Sequence, residues 1–135
     1  MTLSQKSLYL KSFNQLFFDF VNEIIVLFPE NHNILQAKES FELFKKCNPT
    51  ILIKCWFTNV NQPYRTQIMA NDVQFFCEKD YDNDLCSLKN SKDIVKIIGS
   101  LRESVRNMSE TSKLQSMKYI QQLCQLSELY DSYSN

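Results

Sequence analysis

Three aspartates at alternate positions have the spacing in this sequence that is best suited to metal chemistry. Asp80, Asp82 and Asp84 form D-x-D-x-D, the pattern that opens a calcium-binding EF-hand loop. Such a loop also needs a flexible glycine at its sixth position and a bidentate carboxylate at its twelfth, and in this chain those positions hold Leu85 and Ser91. We therefore predict a solvated acidic loop, with weak adventitious cation binding as the alternative, and no metal or other cofactor.

The single histidine and the five cysteines form no arrangement that indicates catalysis. His32 falls in a predicted turn without an evident cysteine or serine partner. The cysteines are odd in number and lack C-x-x-C spacing, so we interpret them as small buried hydrophobic residues in a reducing, cytosol-like compartment. They are Cys47, Cys55, Cys77, Cys86 and Cys124. Because a chain with one glycine cannot build a glycine-rich phosphate loop, we also expect no enzymatic activity.

Two pairs of adjacent aromatic residues are candidates for a protein-binding surface. The pairs are Trp56 with Phe57 and Phe75 with Phe76. Neighbouring residues on a helix differ by about 100° around the axis, so both members of a pair cannot face one core stripe, and one of each is expected to be exposed. Contacts between layered helices would explain both pairs. An exposed anchor for a partner protein is the alternative, since aromatic residues dominate interface hot spots.

Basic residues are concentrated near the end of an otherwise neutral chain. Residues 87 to 118 contain seven basic and three acidic side chains, although the whole chain has 15 of each. Within this region Lys92 and Lys96, and then Arg102 and Arg106, are four residues apart. On a helix these four would form a basic stripe that could contact phosphates or acidic proteins, with a plain solvated face as the other interpretation.

The first structural element that the sequence indicates is an apolar stretch, SFNQLFFDFVNEIIVLFPEN, at residues 12–31. Asp19 and Glu23 interrupt it and no signal cleavage site follows, so it does not fit a signal peptide. Its apolar core from Leu16 to Phe28 is shorter than the roughly 20 residues that a membrane span requires. We therefore predict no membrane span.

The same stretch has the periodicity of an amphipathic helix that faces a core. Its apolar residues recur every three or four positions, while Asn14, Asp19 and Asn22 fall mostly on the opposite side. We predict a helix that begins as early as Ser4 and ends near Pro29, either unbroken or interrupted around residues 10 to 12.

Further helices are predicted from periodicity and from capping residues. A second helix covers residues 33–46. Asn48 as N-cap and Pro49 at the first helical position favour a short third helix over a buried strand, and Pro63 can begin a fourth helix in the same way. Beyond a loop, Ser91 is expected to cap a fifth helix and Ser109 a sixth. The expected fold is all-α: a compact bundle of about five to six helices in one domain, 1–130, with a frayed tail, 131–135.

Four segments, taken in order, resemble a known family. They are FNQLFFDFVNEIIVLFPEN, NPTILIKCWF, QIMANDVQFFCEKDY and IVKIIGSLRESVRNMSETSKLQSMKYIQQLCQLSELY, and together they extend over about residues 12 to 130. The segments resemble a family of small, uncharacterised α-helical proteins of nucleocytoplasmic large (giant) DNA viruses. The resemblance implies an all-helical fold and a viral source, and it implies no catalytic residues.

These observations together lead to an expected function. We expect a non-enzymatic helical protein-interaction module of a large DNA virus, either a minor virion or capsid-associated component or an adaptor. Its partner would be a viral structural protein or a host protein, and self-association is plausible because dimers are the commonest oligomers. The expected location is the host cytoplasm, the viral factory or the virion. The alternative is a nucleic-acid-associated accessory factor that uses the basic helix around residues 92–106.

Overall fold

The architecture is all-α, as the sequence predicts. The computed structural model describes residues 2–72, 101 and 103–133. Within these ranges the chain forms α-helices and one π-helical segment and contains no strand. The elements are α1 (Thr2–Leu27), α2 (His32–Cys47), α3 (Ile51–Trp56), the π segment (Phe57–Asn61), α4 (Gln62–Met69) and α5 (Glu110–Ser132). The buried hydrophobic residues of these elements belong to one core cluster.

Helix α1 is unbroken and is the longest described element. Its 26 residues correspond to about 39 Å. The fully buried residues on it follow the predicted spacing and are Phe13, Phe17, Phe20, Val21 and Ile24. Leu27, at the end of the predicted apolar stripe, is instead exposed. Among the described residues, no helix combines the length and the apolar content that a membrane span needs.

Helix α2 packs back against α1 after a short turn. Asn31 is its N-cap, and the Asn31 side-chain oxygen accepts hydrogen bonds from the backbone N–H groups of Asn33 (3.1 Å) and Ile34 (3.3 Å). Farther along the two helices, the rings of Phe17 and Phe41 meet edge to face with their centroids 4.6 Å apart. The resulting helical hairpin forms one wall of the core.

The third and fourth predicted helices are parts of one continuous helical segment, Ile51–Met69, which contains the π segment. The predicted start of the third helix at Pro49 was two residues early, because α3 begins at Ile51. Asn48 caps the turn before it: its side-chain oxygen accepts hydrogen bonds from the Thr50 N–H (3.1 Å) and hydroxyl (2.8 Å). The prediction that Pro63 begins a fourth helix is confirmed, because Pro63 lies in the first turn of α4, but α4 follows the π segment without a break.

The π segment keeps both ends of this continuous helix turned toward the core. Each α-helical residue rotates the chain by about 100°, so a regular helix would place Ile68 about 160° from Leu52 around the axis. A π turn contains about one residue more than an α turn and thereby removes about 100° of this difference. Leu52 and Ile68 are accordingly both buried. Pro63, which has no N–H to donate to the residue 59 carbonyl, lies two residues after the end of this wider turn.

Helix α5 completes the core by packing along α1. Ser109 is its N-cap, as predicted, and its hydroxyl oxygen accepts a hydrogen bond from the Ser112 N–H at 3.3 Å. The helix continues through Ser132, two residues into the tail that the sequence predicts to fray. Tyr133 then packs its ring against Tyr9 of α1, with the centroids 5.8 Å apart. Before α5, Leu101 and residues 103–106 are helical, in agreement with the later part of the predicted fifth helix.

Candidate functional site

Trp56, one of the four candidate anchor aromatics, belongs to the core. It is only 3% exposed, and its ring lies edge-on to Phe13 and Phe17 with centroid distances of 6.2 Å in both cases. Its indole N–H donates to the sulfur of Cys124 at 3.3 Å. Phe57, the neighbour of Trp56, is half-buried. This burial removes Trp56 from the candidate anchors, and Phe75 and Phe76 lie outside the described residues.

The candidate basic stripe is described at one of its four positions. Arg106 is exposed and forms an ion pair with Glu103, with 3.3 Å between Nη1 and Oε2. Such an exposed pair one turn apart is typical of a solvated helix face. Lys92, Lys96 and Arg102 lie outside the described residues, as do the three aspartates Asp80, Asp82 and Asp84 of the acidic pattern.

The described cysteines differ in burial, so the prediction that all are buried was wrong for one of them. Cys124 is fully buried and burial raises its pKa to about 12, while burial also raises the pKa of the half-buried Cys55 thiol. Cys47, at the end of α2, is exposed because the helix turns its last residue away from the core. Cys77 and Cys86 lie outside the described residues.

The raised pKa of Cys124 predicts a loss of stability in alkaline solution. The unfolded thiol ionises near pH 9.0, whereas the folded thiol remains protonated to about 12. Stability is therefore unaffected below pH 9 and should fall above it, by up to about 1.4 kcal/mol per pH unit. Urea unfolding at pH 8, 9 and 10 measures this fall, and Cys124→Ala should show a shallower decline. Equal slopes of stability against pH in wild type and Cys124→Ala would contradict the assignment of this fall to Cys124.

A broad groove between α1 and α2 is the candidate binding surface among the described residues. It has a volume of about 940 Å³, and we call it the α1–α2 groove. One wall is formed by residues of α1 at helical spacing and the other by α2 and the turn that follows it. The lining residues are Ser7, Leu10, Lys11, Asn14, Gln15, Phe18, Lys38, Glu42, Lys45, Lys46 and Pro49.

The α1–α2 groove is positively charged although the chain as a whole is neutral. Its lining contains four lysines and one glutamate, a net charge of +3. Lys45 places its ammonium over the ring of Phe18, 5.4 Å from the centroid, where the ring face attracts a cation. The charge distribution along the sequence does not reveal this cluster, because its members are spread from residue 11 to residue 46. Only the α1–α2 hairpin brings them together.

A buried amide lies at the floor of the α1–α2 groove. The sequence predicted Asn14 on the polar side of α1, but it is only 5% exposed. Its side-chain N–H donates to the backbone carbonyl of Pro49 at 3.1 Å, which ties the turn after α2 to α1. The Asn14 side-chain oxygen is buried without a hydrogen-bond partner. Leaving such an acceptor unpaired costs about 1–3 kcal/mol, so burial of the Asn14 side-chain oxygen lowers the stability of the folded protein.

Replacing Asn14 by aspartate should destabilise the protein by about 2–3 kcal/mol at neutral pH. The aspartate carboxylate would lack the N–H that Asn14 donates to the Pro49 carbonyl, and it would place a buried negative charge beside that oxygen. Burial raises the pKa of such a carboxyl group, so the loss should diminish as the pH falls and the group protonates. Urea unfolding at pH 7 and pH 4 measures the effect. The matched control is Asn22→Asp at an exposed position of α1, which should change stability by no more than about 0.5 kcal/mol. Equal effects at the two positions would contradict a stabilising role for the Asn14–Pro49 hydrogen bond.

A second groove lies between α1 and α5, and its charged lining residues, Asp19, Glu23 and Lys118, give it a small net negative charge. It has a volume of about 580 Å³, and Asp19 and Glu23 of α1 line it together with Tyr119 of α5. Burial raises the pKa of the Tyr119 hydroxyl, and Glu23 and Asp19 raise it further. The Tyr119 ring stacks on Phe20, with the centroids 5.3 Å apart. This surface therefore presents carboxylates beside an aromatic pair that holds the two helices together.

The chemistry that these side chains offer is binding through charge and apolar contact. The lysines of the α1–α2 groove provide ammonium donors for carboxylate or phosphate oxygens, and Leu10 and Phe18 provide half-buried apolar surface between them. His32 is exposed in the first turn of α2 and does not line this groove. In the part of the chain that the structure describes, no cluster of histidine, cysteine and carboxylate side chains could hold a metal ion.

Comparison of the chain with protein-family models, with curated proteins and with solved structures finds no match. The functional assignment therefore depends on the residues and on the geometry described above.

Proposed function

We propose that the protein is a non-enzymatic helical module that binds another protein through the α1–α2 groove. The observation that carries this proposal is the composition of the groove, which combines four lysines from two packed helices with the half-buried apolar side chains Leu10 and Phe18 of α1. A surface of this kind can attract an acidic partner by charge and retain it by apolar contact. Trp56 and the fully buried residues of α1 hold the walls in place and take no part in binding.

The proposed biological setting is a large DNA virus. The order of the helical segments and their likeness to the viral family support this setting, in which the protein would be a minor virion or capsid-associated component or an adaptor. The partner would be a viral structural protein or a host protein, in the cytoplasm, the viral factory or the virion.

Mass spectrometry of purified virus particles tests the proposed setting. A capsid-associated component should be present in particles and should remain after washes at low and moderate salt. Co-purification with a defined protein from infected cells, but absence from particles, would favour the adaptor role. Failure to recover any protein partner from either source would overturn the proposed function.

Nucleic-acid binding is the weaker alternative on the described geometry. It was predicted from the basic stripe, and Arg106, the one described member, is paired with Glu103 outside the α1–α2 groove. The groove itself contains Glu42 and apolar surface, which a phosphate backbone would not use. We therefore propose a protein partner in preference to a nucleic acid.

A further inference from the structure

The proposed function leaves open what kind of protein segment the α1–α2 groove receives. On the premise that the groove is the binding surface, we infer that its ligand is an amphipathic helix with acidic flanks, about two turns of which lie in the groove. Three features of the groove support this inference: its charge, the arrangement of its apolar side chains, and its shape.

The charge of the groove selects an acidic segment. Lys11 projects from the α1 wall and Lys38, Lys45 and Lys46 from the α2 wall, so cations border both sides. Three of the four are exposed and Lys38 is half-buried. Carboxylates along both edges of a bound segment would meet these ammonium groups, whereas a basic segment would be repelled.

The apolar side chains select a segment that also has an apolar stripe. Leu10 and Phe18 are both half-buried, and they lie two helical turns apart on α1. Lys45 covers part of the Phe18 ring. A carboxylate that draws this ammonium away would expose the ring to an apolar side chain of the ligand. A highly charged polymer without apolar groups would leave this surface unused.

The shape of the groove fits a helix. Its α1 wall extends from Ser7 to Phe18, which is about 17 Å of helix, and α2 forms the opposite wall. A helix with its side chains is about 10–12 Å wide, so a volume of about 940 Å³ corresponds to about two turns. A third helix lying between two packed helices is a common mode of peptide recognition, with anchors at i, i+3, i+4 and i+7.

Binding of a designed peptide tests the inference directly. The probe is an acidic helix of about 14 residues, with leucines at i, i+3, i+4 and i+7 and glutamates on the flanks. Fluorescence anisotropy compares wild type with Lys45→Glu and with Lys54→Glu. Both lysines are exposed and both lie on helices, but only Lys45 lines the groove, so the two variants are matched in the change of charge and in exposure.

The expected result is binding that Lys45→Glu weakens by about tenfold or more and Lys54→Glu by less than about threefold. A probe with proline at its centre should bind about tenfold more weakly because it cannot form the helix. Equal losses of affinity in the two variants would overturn the inference, and so would equally tight binding of the proline-containing probe. Displacement of the labelled probe by double-stranded DNA at a lower concentration than by unlabelled peptide would also overturn it. So would the absence of binding.

Selection from a display library of helical peptides separates this inference from the proposed function. Sequences that bind wild type and are lost on Lys45→Glu should be acidic and should have the apolar spacing of the probe. If the enriched sequences lack both features, the inferred ligand is wrong, but a protein partner recovered from infected cells would still support the proposed function. If no protein partner is recovered, the proposed function fails whatever the library selects.

Discussion

Substituting Trp56 by alanine should lower the free energy of unfolding by about 3–5 kcal/mol. The indole is almost fully buried among Phe13, Phe17 and Cys124, so its removal would leave a cavity in the centre of the core. Urea unfolding followed by circular dichroism measures the change. The sequence offered Trp56 as an exposed anchor as well, and on that alternative the same substitution would abolish partner binding without affecting stability.

Phe57→Ala is the matched control for Trp56→Ala. The two residues are adjacent, but Phe57 is half-buried at the start of the π segment. Its truncation should cost roughly 1–1.5 kcal/mol, about half the value for fully burying such a side chain. If Phe57→Ala destabilises the protein as much as Trp56→Ala does, the assignment of Trp56 as the more important core residue is wrong.

Insertion of an alanine after Thr58 should destabilise the protein by about 5 kcal/mol or more. Thr58 is an exposed residue of the π segment, which already accommodates one residue more than a regular α-helix. A second additional residue would rotate the following helix by about 100° and turn buried Tyr64 and Ile68 away from the core. Losing each of these side chains costs about 2–5 kcal/mol, and a small domain has only about 5–15 kcal/mol in total. Calorimetry should therefore show a much weakened or absent unfolding transition.

Deletion of Thr58 is the matched control, because the π segment can then close into a regular α-helix in which Tyr64 and Ile68 keep their orientation. Because Thr58 is exposed, its deletion should cost much less than the insertion, about 1 kcal/mol. An insertion variant as stable as wild type would show that α4 can be buried in either orientation, and the π segment would then not be what turns α4 toward the core.

The helices themselves could be predicted because their signals are local. Apolar spacing identified α1 and α2, and the hydroxyl of Ser109 identified the start of α5. The π segment could not be predicted in this way, since apolar residues 56, 60, 64 and 68 fit a helix of either kind. Only the need for both α3 and α4 to face one core distinguishes a continuous, locally widened helix from two separate helices.

The α1–α2 groove could not be predicted because its signal is tertiary. Lys11 and Lys45 are 34 positions apart, and the intervening sequence contains acidic residues that cancel their charge in any linear count. Asn14 shows the same difficulty at one position. Its polarity placed it on the outer side of α1, whereas in the structure its amide reaches the carbonyl of Pro49, 35 residues along the chain.

The packing of the first described helix along the last affects how the chain is exposed during its synthesis. Helix α1 leaves the ribosome well before α5, yet α5 supplies much of the surface that covers it, including the Tyr119 ring against Phe20. During translation the aromatic stripe of α1 therefore remains without its final cover, and such exposed apolar surface invites aggregation or chaperone binding. Nascent chains that stop before residue 110 should be captured by holdase chaperones, and release should follow once α5 is complete.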